Sequence, residues 1–569
     1  MNHTNHRPRS LIPTKPSRSP SYFCTFNGQG YHYPRTLLAA NAEKYARMAA
    51  HRLEATMLNE ETLLGERGFA RTLFPELRGE LFFLLDDGWD VPIVGPDEYY
   101  GSCILDTDKF PGFTGEPAER IRKLNMAFKA LGWRGIGLWI ACQEAPAVLR
   151  QQPEGSADGP EPQYWVERLK WMAAAGVEYW KVDWGARASD ASYRRMLTEL
   201  AAKHAPGLLM EHANVCAPFN TPFEPDEARK AKAEGASWLF HDLGEQGRIS
   251  PDRLDEFCKL VPISDVLRLY DVTGQLAIPT MLDRAAQVLT AFGPDQPERC
   301  LLNCEIVPYV GAGLGCCIGI MTHPRKQFSF HPEIVLGGRE SGENMLAELP
   351  GGRIDAMRLG PLFLDRRMLE IVRTLRWHRI APPFPVGGHE THLSDAILTD
   401  SWDLRSPPAW CRGGLKGVMT QRAPAVICRN VPPASVQPGG CGPDRPYVVA
   451  SRHPNGALAV ATLERVSPDR GAVTPLADIV IGVDDVQAPI GLFGSFERVT
   501  IRAAGITSAS RIWAQDLAGD TPVDVTAQVT LESGSVAIPG ALAGRLCPRF
   551  NEFDDSRPGI VLTLDDPKR

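Results

Sequence analysis

The chain has 569 residues, too many for one hydrophobic core, so two or three domains are expected. A formal net charge of −7 with mixed signs gives no electrostatic footprint for nucleic acid or an anionic membrane surface. No apolar run approaches the roughly 20 residues that span a bilayer, and the 13 scattered cysteines, several inside apolar runs such as Cys300–Cys304, fit reduced, buried thiols of a cytoplasmic protein and not a disulfide framework.

Residues 1–19 are polar, basic and rich in Pro and Ser, without the apolar stretch of a secretory signal, and read as a disordered tail. From residue 20 to 380 short apolar runs alternate with helical periodicity, the pattern of βα units. Strands are predicted at 21–26, 80–85, 135–140, 177–182, 208–211, 266–270, 300–304 and, more weakly, 317–321. Helical spacing falls between them, at 117–131, 164–175 and 191–204. A polar stretch over 214–246 has no clear period and reads as an insertion over one end of the fold. Eight parallel strands with right-handed crossovers close into a (β/α)₈ TIM barrel, so the fold class is α/β. After a helix over 366–377 the composition changes. Residues 385–569 carry short alternating runs separated by Gly, Pro and Asp (447–450, 457–462, 477–481, 498–501 and 559–564), the pattern of an all-β sandwich domain.

Two predicted barrel strands end abruptly in acids and an indole: Leu84–Leu85–Asp86–Asp87–Gly88–Trp89 and Tyr179–Trp180–Lys181–Val182–Asp183–Trp184–Gly185. The carboxyl end of a barrel strand opens on the cleft where chemistry is done. Carboxylates for hydroxyls and bond cleavage, with indoles for the apolar face of a ring, point to a carbohydrate site. Lys181 and Asp183 are two apart on a strand and face the same way; the ammonium lowers the carboxyl pKa and keeps it ionised and nucleophilic. Asp86 and Asp87 read either as sugar ligands or as a strand-end turn. A second carboxyl must oppose the first for glycoside cleavage. Asp271 ends the sixth predicted strand and is the candidate general acid/base, with Arg268 able to donate to a substrate hydroxyl. Asp265 begins that strand and reads better as a turn acid, though it is the competing acid/base. Glu211 and His212 end the fifth strand and either line the pocket or serve the structure. Trp139 ends the third as sugar platform or core packing. His389–Glu390–Thr391–His392 lacks metal-site spacing and reads as a surface loop.

The order of Asp-Asp-Gly-Trp, Lys-x-Asp and a later Arg-containing acid motif resembles the clan of retaining α-galactosidases, the melibiase-like glycoside hydrolases. The resemblance continues in Asp108–Lys109–Phe110–Pro111 and in Leu302–Asn303–Cys304–Glu305 before Val310–Gly311–Ala312–Gly313–Leu314. It spans residues 20 to 330, and the following β domain suits the clan. It implies Asp183 as nucleophile and Asp271 as acid/base. Asp86 and Asp87 would bind axial or primary hydroxyls, and Lys181 and Arg268 ring hydroxyls. Arg268 precedes Asp271 by three residues where the clan has four, and Glu305 replaces an aspartate motif. The expected function is therefore retaining hydrolysis of α-galactosides or closely related glycosides, with substrate contacts from Asp86, Asp87, Trp89, Trp139, Lys181, Trp184, Glu211 and Arg268. No metal or organic cofactor is implied, and no nucleic-acid or membrane partner. Oligomeric state is left open. A glycosyltransferase of the same architecture and a non-catalytic carbohydrate-binding barrel are the alternatives.

Overall fold

The computed structural model of the chain describes residues 10–26, 58–66, 68–91, 101–144, 162–183, 185, 187–188, 190–213, 258–269, 278–304, 307–321, 367–403, 418–432, 436–439, 444–467, 471–473, 475–484, 488–549 and 555–565. Within them the eight apolar runs form strands: β1 (Tyr22–Cys24), β2 (Phe82–Leu85), β3 (Gly135–Ile140), β4 (Tyr179–Val182), β5 (Leu209–His212), β6 (Val266–Arg268), β7 (Leu301–Asn303) and β8 (Gly319–Ile320). All pair in parallel in one sheet, with β8 beside β1. The parallel bridge between Asn303 and Cys317 joins β7 to the run entering β8 and closes the barrel.

The connecting helices lie where periodicity puts them: α1 (Pro117–Ala130), α2 (Gln163–Ala175), α3 (Ala191–His204) and α4 (Ile278–Ala291). Pro at the first turn starts α1, left-handed Gly176 ends α2, and the Asp190 carboxylate caps α3 by accepting from Tyr193 N. Burial on both faces explains why the strands read as continuous apolar runs. Alternation separates two cores: Tyr22, Cys24, Phe82, Leu84, Tyr179, Val266, Cys317 and Met321 pack inside the barrel, while Phe23, Phe83, Leu85, Trp180 and Val182 join the shell under the helices.

α5 (Pro308–Leu314) is wholly buried and packs against strands of the C-terminal domain. A Cβ on Gly313 would stand 2.4 Å from Val449 Cγ2 and 3.0 Å from Ala461 Cβ, so glycine is what lets the two domains approach here. α6 (Met368–Ile380) ties them further through Arg373–Asp516 (2.8 Å) and through Glu370–Arg557 (2.9 Å). The C-terminal domain is built from an eight-stranded and a five-stranded sheet sharing one core.

One expectation is corrected. Residues 10–19 are not a disordered tail: Ile12, Ser17 and Ser19 are buried, and Leu11 N donates to Gln515 Oε1 at 2.7 Å. Arg134 Nη1 binds the Arg18 and Ser19 carbonyls at 2.9 and 2.8 Å. The segment is polar because it is held by hydrogen bonds across two domains, and composition alone cannot tell that from solvation. Thr391–Leu393, overlapping the end of the expected surface loop 389–392, is a strand paired with Ile427–Arg429, and no metal cluster occurs among the described residues. The insertion 214–246 lies outside the described residues. No described helix is long and apolar enough to cross a membrane, and the ten described cysteines are all free.

Candidate active site

The same alternation that fills the barrel decides which polar groups reach its carboxyl end. Inward positions on β1, β2, β4 and β6 continue upward to Cys24, Asp86, Lys181 with Asp183, and Arg268, all buried. The backbone ladder extends one residue past β4, with Asp183 N donating to Ile140 O at 3.0 Å, so the Asp183 side chain is carried on strand geometry and not on a loose loop.

Asp183 is the electrostatic centre. Its Oδ2 accepts from Trp139 Nε1 at 3.1 Å and lies 3.7 Å from both Lys181 Nζ and Arg268 Nη2. Burial alone would push this carboxyl up; the charges of Arg268 and Lys181, the Trp139 N–H and Arg194 outweigh it and hold the group below the ordinary carboxylate range. Every described contact of the carboxylate falls on Oδ2.

Asp86 stands beside it. Its Oδ2 takes Lys181 Nζ at 2.8 Å and the Cys24 thiol at 3.0 Å, and its backbone N donates to Thr25 Oγ1 at 2.9 Å. Burial, and then Asp86, push the Cys24 thiol well up, so it is a protonated donor. Lys181 therefore bridges two carboxylates; burial and Arg268 oppose its charge, and Asp86 and Asp183 more than offset them, leaving its pKa above the ordinary value. Met321 Sδ, 3.7 Å from Arg268 Nη1 and 4.0 Å from Lys181 Nζ, fills the space between the two cations. Half-buried Asp87 has its carboxyl pushed well above the usual range by burial and by Asp86 and Asp90. Lys109 donates to Gly88 O at 2.7 Å and pins this turn, which gives the Asp108–Pro111 motif a physical role.

The remaining sequence candidates separate by environment. Trp89 is fully buried and its indole N–H donates to Trp139 O at 2.8 Å, so it props the third strand and presents no face to solvent. Trp139 is buried as well, and its N–H is spent on Asp183. Glu211 lies deeper in the barrel, with Oε1 accepting from Tyr22 at 3.1 Å and Oε2 from Tyr179 at 2.7 Å and Asn303 at 3.1 Å. Asp265 sits at the opposite, amino end of β6, accepting from Met210 N at 2.8 Å. Asp271 and Trp184 lie outside the described residues. Sequence reasoning missed Cys24, Thr25 and Phe26. Phe26 is 38% exposed with its ring centroid 5.8 Å from Lys181 Nζ, the aromatic face beside the charged cluster that the indoles were expected to supply. Its signal was available: an aromatic two residues beyond a strand's carboxyl end.

No protein-family model and no curated protein matches this chain. Solved structures similar to it include glycosidases. A GH27 β-L-arabinopyranosidase from Geobacillus stearothermophilus, in complex with arabinose, is 9% identical over 97% of this chain and 98% of its own, with a TM-score of 0.36. The α-galactosidase of Saccharomyces cerevisiae, with raffinose, is 9% identical over 97% and 98% at a TM-score of 0.35. A glucosidase from Croceicoccus marinus is 10% identical over 85% and 89% at 0.29.

Proposed function

We propose that the chain is a retaining glycoside hydrolase acting on α-galactosides or closely related glycosides. The observation that carries this reading is Asp183: an ionised carboxylate at a barrel-strand end, with both flanking cations and the indole N–H on one oxygen. Oδ1 attacks the anomeric carbon as the bond to the leaving oxygen breaks, and Asp271, entering protonated, gives that oxygen its proton. A covalent glycosyl-enzyme results. Asp271, now a carboxylate, takes a proton from water, which displaces Asp183 and restores the starting state with the anomeric configuration retained. Asp86, with Oδ2 fixed by Lys181 and Cys24, keeps Oδ1 for a sugar hydroxyl. Asp87 contacts a second hydroxyl, Arg268 contacts a ring hydroxyl, and Phe26 offers an apolar face.

The test is hydrolysis of an aryl-glycoside panel: α-galactoside, α-N-acetylgalactosaminide, β-L-arabinopyranoside, α-glucoside and α-mannoside. One member should turn over, and Asp183→Ala should lower that rate by roughly four orders of magnitude with the fold intact. Azide added to the variant should restore turnover as the inverted glycosyl azide. A variant within a few-fold of wild type removes Asp183 from the nucleophile role. Product transfer to an added acceptor sugar would indicate a glycosyltransferase, and saturable binding without turnover a carbohydrate-binding barrel.

A further inference from the structure

Beneath Asp183 lies a buried cation that the two-carboxylate chemistry does not use. Arg194 is 1% exposed and sits on the same stripe of α3 as Leu197, Leu200 and Ala201. Its guanidinium is spent on backbone: Nε donates to Ala188 O at 2.7 Å, Nη1 to Val182 O at 3.0 Å and Nη2 to Asp183 O at 2.8 Å. These three carbonyls belong to the last residue of β4, to Asp183 itself and to the turn that follows. A planar fork of five fixed donors can span them, whereas a lysine ammonium is a point donor and cannot reach all three at once.

The guanidinium is oriented in turn by His212 at the end of β5. Thr198 Oγ1 gives its one proton to Ile263 O at 2.7 Å, so at its 2.8 Å contact with His212 Nε2 the imidazole must be the donor. Nδ1 is then the lone-pair nitrogen and accepts from Arg194 Nη1 at 3.3 Å. Burial, and then the Arg194 charge, hold His212 well below its ordinary pKa, consistent with that neutral tautomer. A chain of directed bonds therefore runs from the turn before β6 through Thr198, His212 and Arg194 to the peptide that carries Asp183.

We infer that Arg194, oriented by neutral His212, is a positioning residue for Asp183: it fixes the peptide planes on both sides of the carboxylate and lends it positive charge from behind. The inference rests on the proposed role of Asp183 as nucleophile. It gives the Glu211–His212 pair divided duties, with Glu211 inside the barrel and His212 in the shell.

The experiment uses the full chain with Arg194→Met, Arg194→Lys, His212→Leu and, as a packing control on the same helix stripe, Leu197→Ala. Two readouts are taken: kcat and KM on the panel glycoside that wild type hydrolyses, and the titration midpoint of the Asp183 carboxyl carbon in protein labelled at aspartate ¹³Cγ, assigned with Asp183→Asn. In Arg194→Met, kcat should fall roughly 10- to 100-fold with KM within threefold, the size expected of a misplaced reacting group. The Asp183 midpoint should rise by about one unit. Arg194→Lys should restore the midpoint more than kcat, since it returns charge but not the fork, and His212→Leu should lower kcat without moving the midpoint as far. Leu197→Ala should lose thermal stability and keep both readouts. An Arg194→Met protein with kcat within twofold of wild type and an unmoved midpoint overturns the inference, as does a Leu197→Ala protein that reproduces its losses. Should Arg194→Met fail to fold, Arg194→Lys and His212→Leu decide by the same readouts. Should wild type hydrolyse no glycoside, the proposed function fails, and the midpoint alone still decides the clamp.

Discussion

Replacing Lys181 with Met isolates what one ammonium does for two carboxylates. Its Nζ lies 2.8 Å from Asp86 Oδ2 and 3.7 Å from Asp183 Oδ2, and the side chain is 2% exposed. At 3.7 Å and an effective dielectric constant of about 20, the attraction to Asp183 is about 4 kcal/mol, an upper limit equivalent to about 3 pKa units. Arg268 and the Trp139 N–H remain, so the Asp183 carboxyl should rise by about 1–2 units, from below the ordinary range to or above it. The sign follows from which form reacts. Attack needs the carboxylate, so the acid limb of kcat/KM must move to higher pH. The stability that the depressed carboxyl contributes is present above its unfolded pKa and lost as pH falls through the folded value; in the variant, whose carboxyl is no longer depressed, that contribution is absent. A 2,4-dinitrophenyl glycoside makes the assay selective, because its leaving group needs little protonation and the acid limb then reports the nucleophile. Asp86 loses its ion pair and keeps only the Cys24 thiol on Oδ2, so a destabilisation of about 3–5 kcal/mol is expected alongside. An acid limb at the wild-type position, in a variant shown to be folded, would refute the electrostatic account of Asp183.

Trp139→Phe keeps the ring and deletes the N–H that lies 3.1 Å from Asp183; kcat should fall several-fold with the acid limb displaced upward and KM unchanged, whereas a KM effect alone would make Trp139 a sugar platform. The buried His378 and His453 have pKa values pushed down, chiefly by burial, to about 3 and about 4. Unfolded histidine binds its proton near pH 6.5, so stability is full above that value and lost as pH falls toward 4, at up to about 1.4 kcal/mol per pH unit per group. Thermal melts of wild type and His378→Leu across that window should show the steeper loss in wild type. Gly313→Val places side-chain atoms where a Cβ already meets Val449 Cγ2 at 2.4 Å, and should lower the melting temperature through the domain contact while leaving the Asp183 acid limb where it is.

Much of this arrangement is written in strand endings. Apolar runs bounded by charge located all eight barrel strands within about two residues, the usual fraying of element boundaries, because a strand buried on both faces has few ways to look different. The Lys181–Val182–Asp183 spacing located the charged centre for the same reason: period-two alternation sends both side chains to one face. What the sequence could not convey is who satisfies whom. Trp89 and Trp139 look alike as strand-end indoles, yet one N–H goes to a carbonyl and the other to Asp183. Arg194 was legible only as an anomaly, a charge on the apolar stripe with Leu197 and Leu200, and its partners lie on β4 and in the following turn. The Ser- and Pro-rich residues 10–19 carry no apolar period because their order comes from carbonyls and from Gln515, far along the chain.

Among the described residues the barrel interior holds three carboxylates on one inward register, and their donors distinguish them better than their depth. Glu211 is met on both oxygens by neutral donors, two tyrosine hydroxyls and an asparagine amide. Asp86 is met on one oxygen by an ammonium and a thiol, Asp183 on one oxygen by two cations and an indole. One-sided satisfaction costs nothing in buried polar groups on the occupied side and keeps the other oxygen presented in a fixed direction, which is the preorganisation that attack at a single carbon requires. Of the two, only Asp183 continues the strand ladder past its end, held from behind through its own carbonyl. Covalent attack asks for the more rigid carboxylate and hydroxyl recognition tolerates the other, so the roles proposed for Asp183 and Asp86 agree with how each is held.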